Sequence, residues 1–132
     1  MKFNALVPEL SVSNIQKSLD FYVKVLKFKI EYERPQDKFA FLSYDKAQLM
    51  IEQHNDHWNV AELIYPFGRG VNFQIETSNI KQIQKSLQEH NIQPFKDIFV
   101  SSYIAGNQTF KELEILVLDP DGYLLRFSQG NE

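Results

Sequence analysis

The chain has no cysteine, which excludes disulfides, thiolate metal centres and a cysteine nucleophile, and leaves the redox compartment open. It also lacks any apolar run long enough to cross a bilayer, and Met1-Lys2-Phe3-Asn4-Ala5-Leu6-Val7-Pro8-Glu9 lacks the apolar core of a secretory leader. The expectation is a cytoplasmic protein without a membrane partner. Basic blocks are missing too. Fourteen Lys and Arg against seventeen Asp and Glu give a net charge of −3, with no Lys/Arg-rich stretch, so nucleic acid is disfavoured as a partner. What is present in quantity is aromatic. Eleven Phe, six Tyr and one Trp in 132 residues are more rings than one small core needs. That length suits one domain that buries a core without staples.

Hydrophobic spacing divides the chain into two similar halves. Phe3 to Leu10 reads as a strand, with Pro8 favouring an edge or a bulge. Ser13-Asn14 supplies helix-capping chemistry, and Ile15, Leu19, Tyr22 and Leu26 follow as an apolar stripe. Phe28 to Glu33 reads as extended, Arg34 to Asp37 as a turn, and Phe39 to Tyr44 with Gln48 to Glu52 as a hairpin. Residues 54–70, with His54, His57, Trp58, Pro66, Gly68 and Gly70, break the pattern and read as a linker. Then the order repeats. Val71 to Glu76 is a strand, and Asn79 with Gln82 has capping-box spacing ahead of Ile80, Ile83 and Leu87. Phe95 to Tyr103, Lys111 to Leu118 and Tyr123 to Gln129 make three more strands. The tripeptide Ser-Asn-Ile recurs at 13–15 and 78–80, each time between a strand and a helix. A four-stranded sheet with one helix leaves a face uncovered, so two such modules, about 1–53 and 71–132, should combine around a cleft.

Leu19-Asp20-Phe21-Tyr22 with Val25-Leu26-Lys27-Phe28, and the closing Leu118-Asp119-Pro120-Asp121-Gly122-Tyr123-Leu124-Leu125-Arg126, resemble the vicinal-oxygen-chelate superfamily. That superfamily includes glyoxalase I, extradiol dioxygenases and the bleomycin-resistance proteins. The resemblance implies an α+β fold of two βαβββ modules forming a curved mixed sheet around a cleft. In the superfamily's enzymes His, Gln or Glu side chains hold a divalent metal there. Counting seven residues back from Asn14 and Asn79 places Val7 and Asn72 at the first-strand ligand positions. The closing-strand carboxylate corresponds to Arg126, whose donor-only guanidinium repels a cation. Glu52, taken as the matching residue of the first module, is the one good ligand left, and one carboxylate makes no metal site.

The resemblance is closest to the bleomycin-resistance branch, through Val7-Pro8-Glu9-Leu10, Leu49-Met50-Ile51-Glu52 and Leu124-Leu125-Arg126-Phe127. It implies a metal-free, cofactor-free homodimer that sequesters a cationic or aromatic small molecule, a bleomycin-type antibiotic among the candidates, without chemistry. The alternative is a metal-dependent lyase, transferase or dioxygenase of the same superfamily.

Candidate ligand-binding residues follow, each with a plainer reading. Phe39 and Phe41 share a strand face, either core or cleft wall. Trp58 and Phe67 stack on a ligand, or pack the linker or a dimer interface. Tyr103 and Phe110 flank a polar loop at 104–109 that closes over a ligand, or forms an ordinary hairpin tip. Glu52 and Arg126 meet as a structural ion pair, or each takes a ligand group. His54 and His57, in a polar stretch without a third ligand, read as exposed loop histidines.

Overall fold

A computed structural model describes residues 1–130. The first module runs β1 (Glu9–Val12), α1 (Ile15–Leu19), β2 (Lys29–Arg34), β3 (Phe39–Tyr44) and β4 (Ala47–Gln53). Helix α1 widens directly into a π-helical stretch over Asp20–Val25, and a 3-10 turn at Pro35–Asp37 precedes β3. The second module runs β5 (Asn72–Glu76), α2 (Ile80–Glu89), β6 (Lys96–Ala105), β7 (Gln108–Leu118) and β8 (Leu124–Gly130). Residues 54–70 carry neither helix nor strand, and the chain divides into compact units between Phe67 and Gly68. Each unit holds a four-stranded mixed sheet, ordered β1-β4-β3-β2 and β5-β8-β7-β6. The first and last strands of each module pair in parallel and the other neighbours pair antiparallel. The fold is therefore α+β, with two βαβββ modules. Among the described residues no helix is long and apolar enough to cross a membrane.

Strand alternation sends Leu10, Val12, Ala40, Leu42, Leu49 and Ile51 to one face of the first sheet, and all are buried. Phe21, Tyr22, Val25 and Leu26 bury from the helical side. The π-helical widening turns two adjacent pairs inward, which departs from the simple stripe expected of Ile15, Leu19, Tyr22 and Leu26. In the second module Ile75, Ile115, Val117, Leu125 and Phe127 form the corresponding dry face, with Ile80, Ile83 and Leu87 of α2. Each of these larger side chains contributes about 1.5–3 kcal/mol of transfer free energy.

Both helices begin in the same way. Asn14 accepts from the Lys17 amide at 3.0 Å, and Asn79 from the Gln82 amide at 3.2 Å, as the capping spacing leads one to expect. A second device was not expected. Gln53, the last residue of β4, accepts through Oε1 from the Ile15 amide at 3.1 Å, and Gln129 of β8 does the same for Ile80 at 2.7 Å. Each glutamine satisfies a helix amide that has no partner within the helix. His90 closes α2, its Nδ1 lying 2.8 Å from the Ser86 carbonyl oxygen.

The closing turn is held by one carboxylate. Asp119 Oδ1 accepts from the amides of Asp121 and Tyr123, both at 2.9 Å. Gly68 packs so close to this turn that an added Cβ would lie 2.9 Å from Tyr123 Cα, so no larger residue fits without backbone movement.

Two expectations about the strands change. The first strand begins at Glu9 rather than Phe3, because Phe3 leaves the sheet and sets its ring edge-on against Phe41 and Tyr32. Pairing with β4 starts where the Pro8 carbonyl accepts from the Met50 amide at 2.8 Å. Of the two readings of 104–109 the structure shows the ordinary hairpin tip, tighter than expected, since β6 and β7 continue to Ala105 and Gln108 and leave only Gly106-Asn107 as the turn.

The register between modules also shifts. Val12 and Thr77 each precede a capping Asn by two, so Leu10 matches Ile75 and their partners Ile51 and Phe127 match. The paired glutamines agree. Arg126 is therefore the counterpart of Met50, and Glu52 of Ser128.

Asn79→Ala and Gln129→Ala should each lower the unfolding free energy by about 1 kcal/mol, measured by urea titration.

Candidate functional site

The face of the first sheet opposite its helix collects Glu9 from β1, Met50 and Glu52 from β4, Phe39 and Phe41 from β3, and Tyr32 and Arg34 from β2. They converge because alternate residues of paired strands project together. Tyr32 stacks on Phe41 with ring centres 5.3 Å apart and lies 5.9 Å from Phe39. Phe39 and Phe41 are only 3% and 2% exposed. The Arg34 guanidinium sits 3.9 Å above the Phe39 ring and 6.0 Å from that of Tyr32, while its Nε donates to Asp37 at 3.3 Å. Glu52 accepts from Asn55 Nδ2 at 2.9 Å. Burial, reinforced by the nearby Glu52 carboxylate and opposed by Arg34, pushes the Glu9 carboxyl above its ordinary pKa. Beyond Glu52 a polar hollow of about 490 Å³ opens between Asp37, Lys38, His54 and His57. His54 there contacts Asp56 at 3.2 Å.

The same face of the second sheet is a polar network. Arg126 donates through Nε and Nη2 to Glu114 Oε1 at 3.1 and 3.0 Å, and through Nη1 to Asn72 Oδ1 at 3.1 Å. The Glu114 side chain is 5% exposed and that of Arg126 32%, so the pair is held in a largely dry setting. Ser128 Oγ donates to Glu112, which also accepts from the Tyr103 hydroxyl at 3.3 Å. Burial and the adjacent Glu112 push the Tyr103 hydroxyl above its ordinary pKa.

The structure thus brings Phe39, Phe41 and Glu52 together on one sheet, and places Arg126, Tyr103 and Phe110 on the other. Tyr103 and Phe110 stack at 5.4 Å as a cross-strand pair near the hairpin end. Trp58 lies in the irregular 54–70 stretch, 68% exposed, touching only the edge of His57 among the ring contacts described. Phe67 is half-buried. Arg126 finds its carboxylate in Glu114, one strand away, which the pairing with Glu52 did not anticipate. Sequence reasoning also missed Glu9, Tyr32 and Arg34. Tyr-x-Arg on β2 carries the period-2 signal, but the signal does not say which face it serves.

At the positions where the superfamily's enzymes hold metal, this chain carries Val7, Met50, Asn72 and Arg126. An aliphatic side chain, a thioether, an amide and a guanidinium do not fit a hard or borderline divalent cation. Among the described residues no group of three or more His, Asp or Glu converges to hold one.

The family model for the C-terminal domain of glyoxalase domain-containing protein 4-like proteins matches residues 14–132. The chain belongs to that family. With it, the chain belongs to the glyoxalase/bleomycin-resistance/dioxygenase superfamily. A superfamily member from Vibrio splendidus is 33% identical, with 95% of this chain and 97% of that one covered and a TM-score of 0.44. A virulence protein from Salmonella typhimurium is similar in fold, with a TM-score of 0.72 at 19% identity over 99% of this chain and 100% of that one. So is a glyoxalase/bleomycin resistance protein/dioxygenase from Alicyclobacillus acidocaldarius, with a TM-score of 0.63, 22% identity and coverage of 100% and 96%. No curated protein matches the chain.

Arg126→Leu should cost about 3 kcal/mol in chemical denaturation, because it leaves the Glu114 carboxylate buried without its cation. Adding Glu114→Leu should recover most of that loss. Glu9 gives a pH signature. Its folded pKa is raised, so the native state holds the proton to higher pH than the unfolded chain, and stability falls as pH rises between the two values. Glu9→Gln should therefore match or exceed the parent melting temperature at neutral pH. The difference should vanish in acid, where Glu9 is protonated in both states.

Proposed function

We propose that the chain is a non-catalytic small-molecule-binding protein resembling the bleomycin-resistance proteins, one that sequesters a cationic, aromatic ligand. The observation that carries this reading is the Arg34 guanidinium over Phe39, with Glu9 and Glu52 on the same sheet face. That face already accommodates, within the chain, a flat cation on an aromatic surface beside carboxylates. Ring quadrupoles attract a cation across their faces, and the attraction strengthens where water is excluded. A ligand carrying a protonated amine and flat heteroaromatic rings would replace Arg34 on Phe39, and Asp37 already holds Arg34 Nε from the other side. The raised Glu9 pKa has the same sense, since two carboxylates sharing a partly dry surface favour an added positive charge. Binding of this kind requires no bond to break. The residues at the superfamily's metal positions are a poor ligand set for a divalent cation, which weighs against a metal-dependent lyase, transferase or dioxygenase.

Calorimetric titration with metal-free bleomycin tests the reading. Saturable binding is expected, weakened about tenfold or more in the Glu9→Gln/Glu52→Gln double variant, equivalent to about 1.4 kcal/mol. A neutral aromatic compound of similar size should bind less well than the cationic glycopeptide. No saturable heat at any ligand concentration, with the protein folded by circular dichroism, would remove the drug-binding claim and leave the fold assignment intact.

A further inference from the structure

The β6–β7 hairpin is the part of the molecule that its own packing explains least. Helix α2 packs on β7 and β8, and the far half of the hairpin runs past it. Every residue from Ser102 to Lys111 is exposed, so the ribbon is bare on both faces. Val100 is 59% exposed, Ile104 76%, Tyr103 45% and Phe110 39%. A two-stranded ribbon in water is marginal on its own, and this one carries apolar side chains where solubility would ask for charges.

Its outer strand is also an open edge. β6 ends the order β5-β8-β7-β6, just as β2 ends the order of the first sheet. The two edges are built differently. β2 reads Lys-Ile-Glu-Tyr-Glu-Arg, charged at alternate and terminal positions, which blocks the approach of another strand. β6 is ten residues long, and from Phe99 to Phe110 the hairpin carries no charge. Its irregularity lies between Lys96 and Phe99, so the distal stretch pairs with β7 without interruption.

The turn fixes which backbone groups face outward. Gly106, at φ +64°, occupies the first position of a two-residue turn closed by Ala105 and Gln108. Gly in the first position at positive φ is the type II′ pattern, in which the closing pair is hydrogen-bonded. Bonded and non-bonded pairs alternate from there, so Val100, Ser102 and Ile104 direct their N–H and C=O groups away from β7.

We propose that β6 is a self-association edge, pairing antiparallel with β6 of a second copy about a two-fold axis at Ser102. In that register Val100 of each copy lies opposite Ile104 of the other, and Ser102 meets itself. All three residues carry outward backbone groups, so each opposed pair exchanges two hydrogen bonds. The β-branched side chains meet as cross-strand pairs, a favourable combination on a sheet surface. The sequence Val-Ser-Ser-Tyr-Ile is self-complementary about its centre, the condition an isologous contact imposes. The absence of charge over the stretch favours an identical neutral edge over a partner recognised by electrostatics. This places the homodimer expected of the chain on a specific strand, independently of any ligand.

Sedimentation velocity on the full chain across a wide concentration range tests the proposal. The parent should run at twice the chain mass, and Val100→Lys/Ile104→Lys should run at the chain mass by setting like charges on the apolar seam. Ser102→Pro is the second variant. It removes an outward N–H and none of the bonds to β7, so the hairpin persists while the pairing is lost. Circular dichroism and urea unfolding confirm that both variants fold. A parent that stays monomeric throughout, or a dimer that survives in both folded variants, overturns the assignment. Neither result bears on ligand binding, which is read by calorimetry on the other sheet.

Discussion

One helix cannot cover both sides of a four-stranded sheet, and each module of this protein is shaped by that shortage. The covered side is built alike in both halves, from aliphatic and aromatic residues at alternate positions against α1 or α2. The other side is where the halves have parted. On the first sheet it became aromatic, with Phe39 and Phe41 nearly inaccessible and a guanidinium laid on a ring. On the second it became ionic. The corrected register makes Phe39 the counterpart of Glu114, and Met50 that of Arg126. The same diagonal across neighbouring strands is thus filled once by a phenylalanine and a methionine, and once by an ion pair in which two guanidinium nitrogens share one carboxylate oxygen. Apolar and ionic fillings of one such space are close in net stability. A duplicated frame is therefore free to vary there, and the functional differences between the halves concentrate on that face.

The strand and helix order was legible because it rests on local patterns. Asn14 and Asn79 announce the helices, alternation marks the strands, and Asp119-Pro120-Asp121-Gly122 marks the last turn. Errors arose where a contact spans distance. Phe3 to Leu10 alternates loosely as a strand would, yet Phe3 sets its ring against Tyr32 and Phe41 and never joins the sheet. Gln53 and Gln129 reach helix amides 38 and 49 residues away, separations that no window of sequence contains. The two glutamines also carry the register between the modules: the closing turn alone aligns Arg126 with Glu52, whereas the helix clamps align it with Met50.

The candidate site was read less completely than the fold for a related reason. Phe39 and Phe41 are legible as one face of a strand and Glu52 as a carboxylate of the last strand of its module, but Tyr32, Arg34 and Glu9 come from the flanking strands of the sheet. A single residue of register decides whether such side chains face the helix or the open side. Between Ile30 and Tyr32 the β2–β3 pairing slips, so no uniform alternation from Lys29 leads to Tyr32. The irregularity that hid Tyr32 also brings its ring onto Phe41.

The glutamine clamps have a consequence for how the protein opens. The first amide of a helix ordinarily meets solvent and exchanges its proton quickly, because the helix offers it no acceptor. Here the Ile15 and Ile80 amides are tied to the last strands of their own sheets. Their exchange requires the glutamine to let go, so protection at these two amides reports the docking of the closing strand on the helix start rather than the helix itself. Two resonances in a nitrogen–proton spectrum would then follow that docking in the two halves separately, each in its own compact unit.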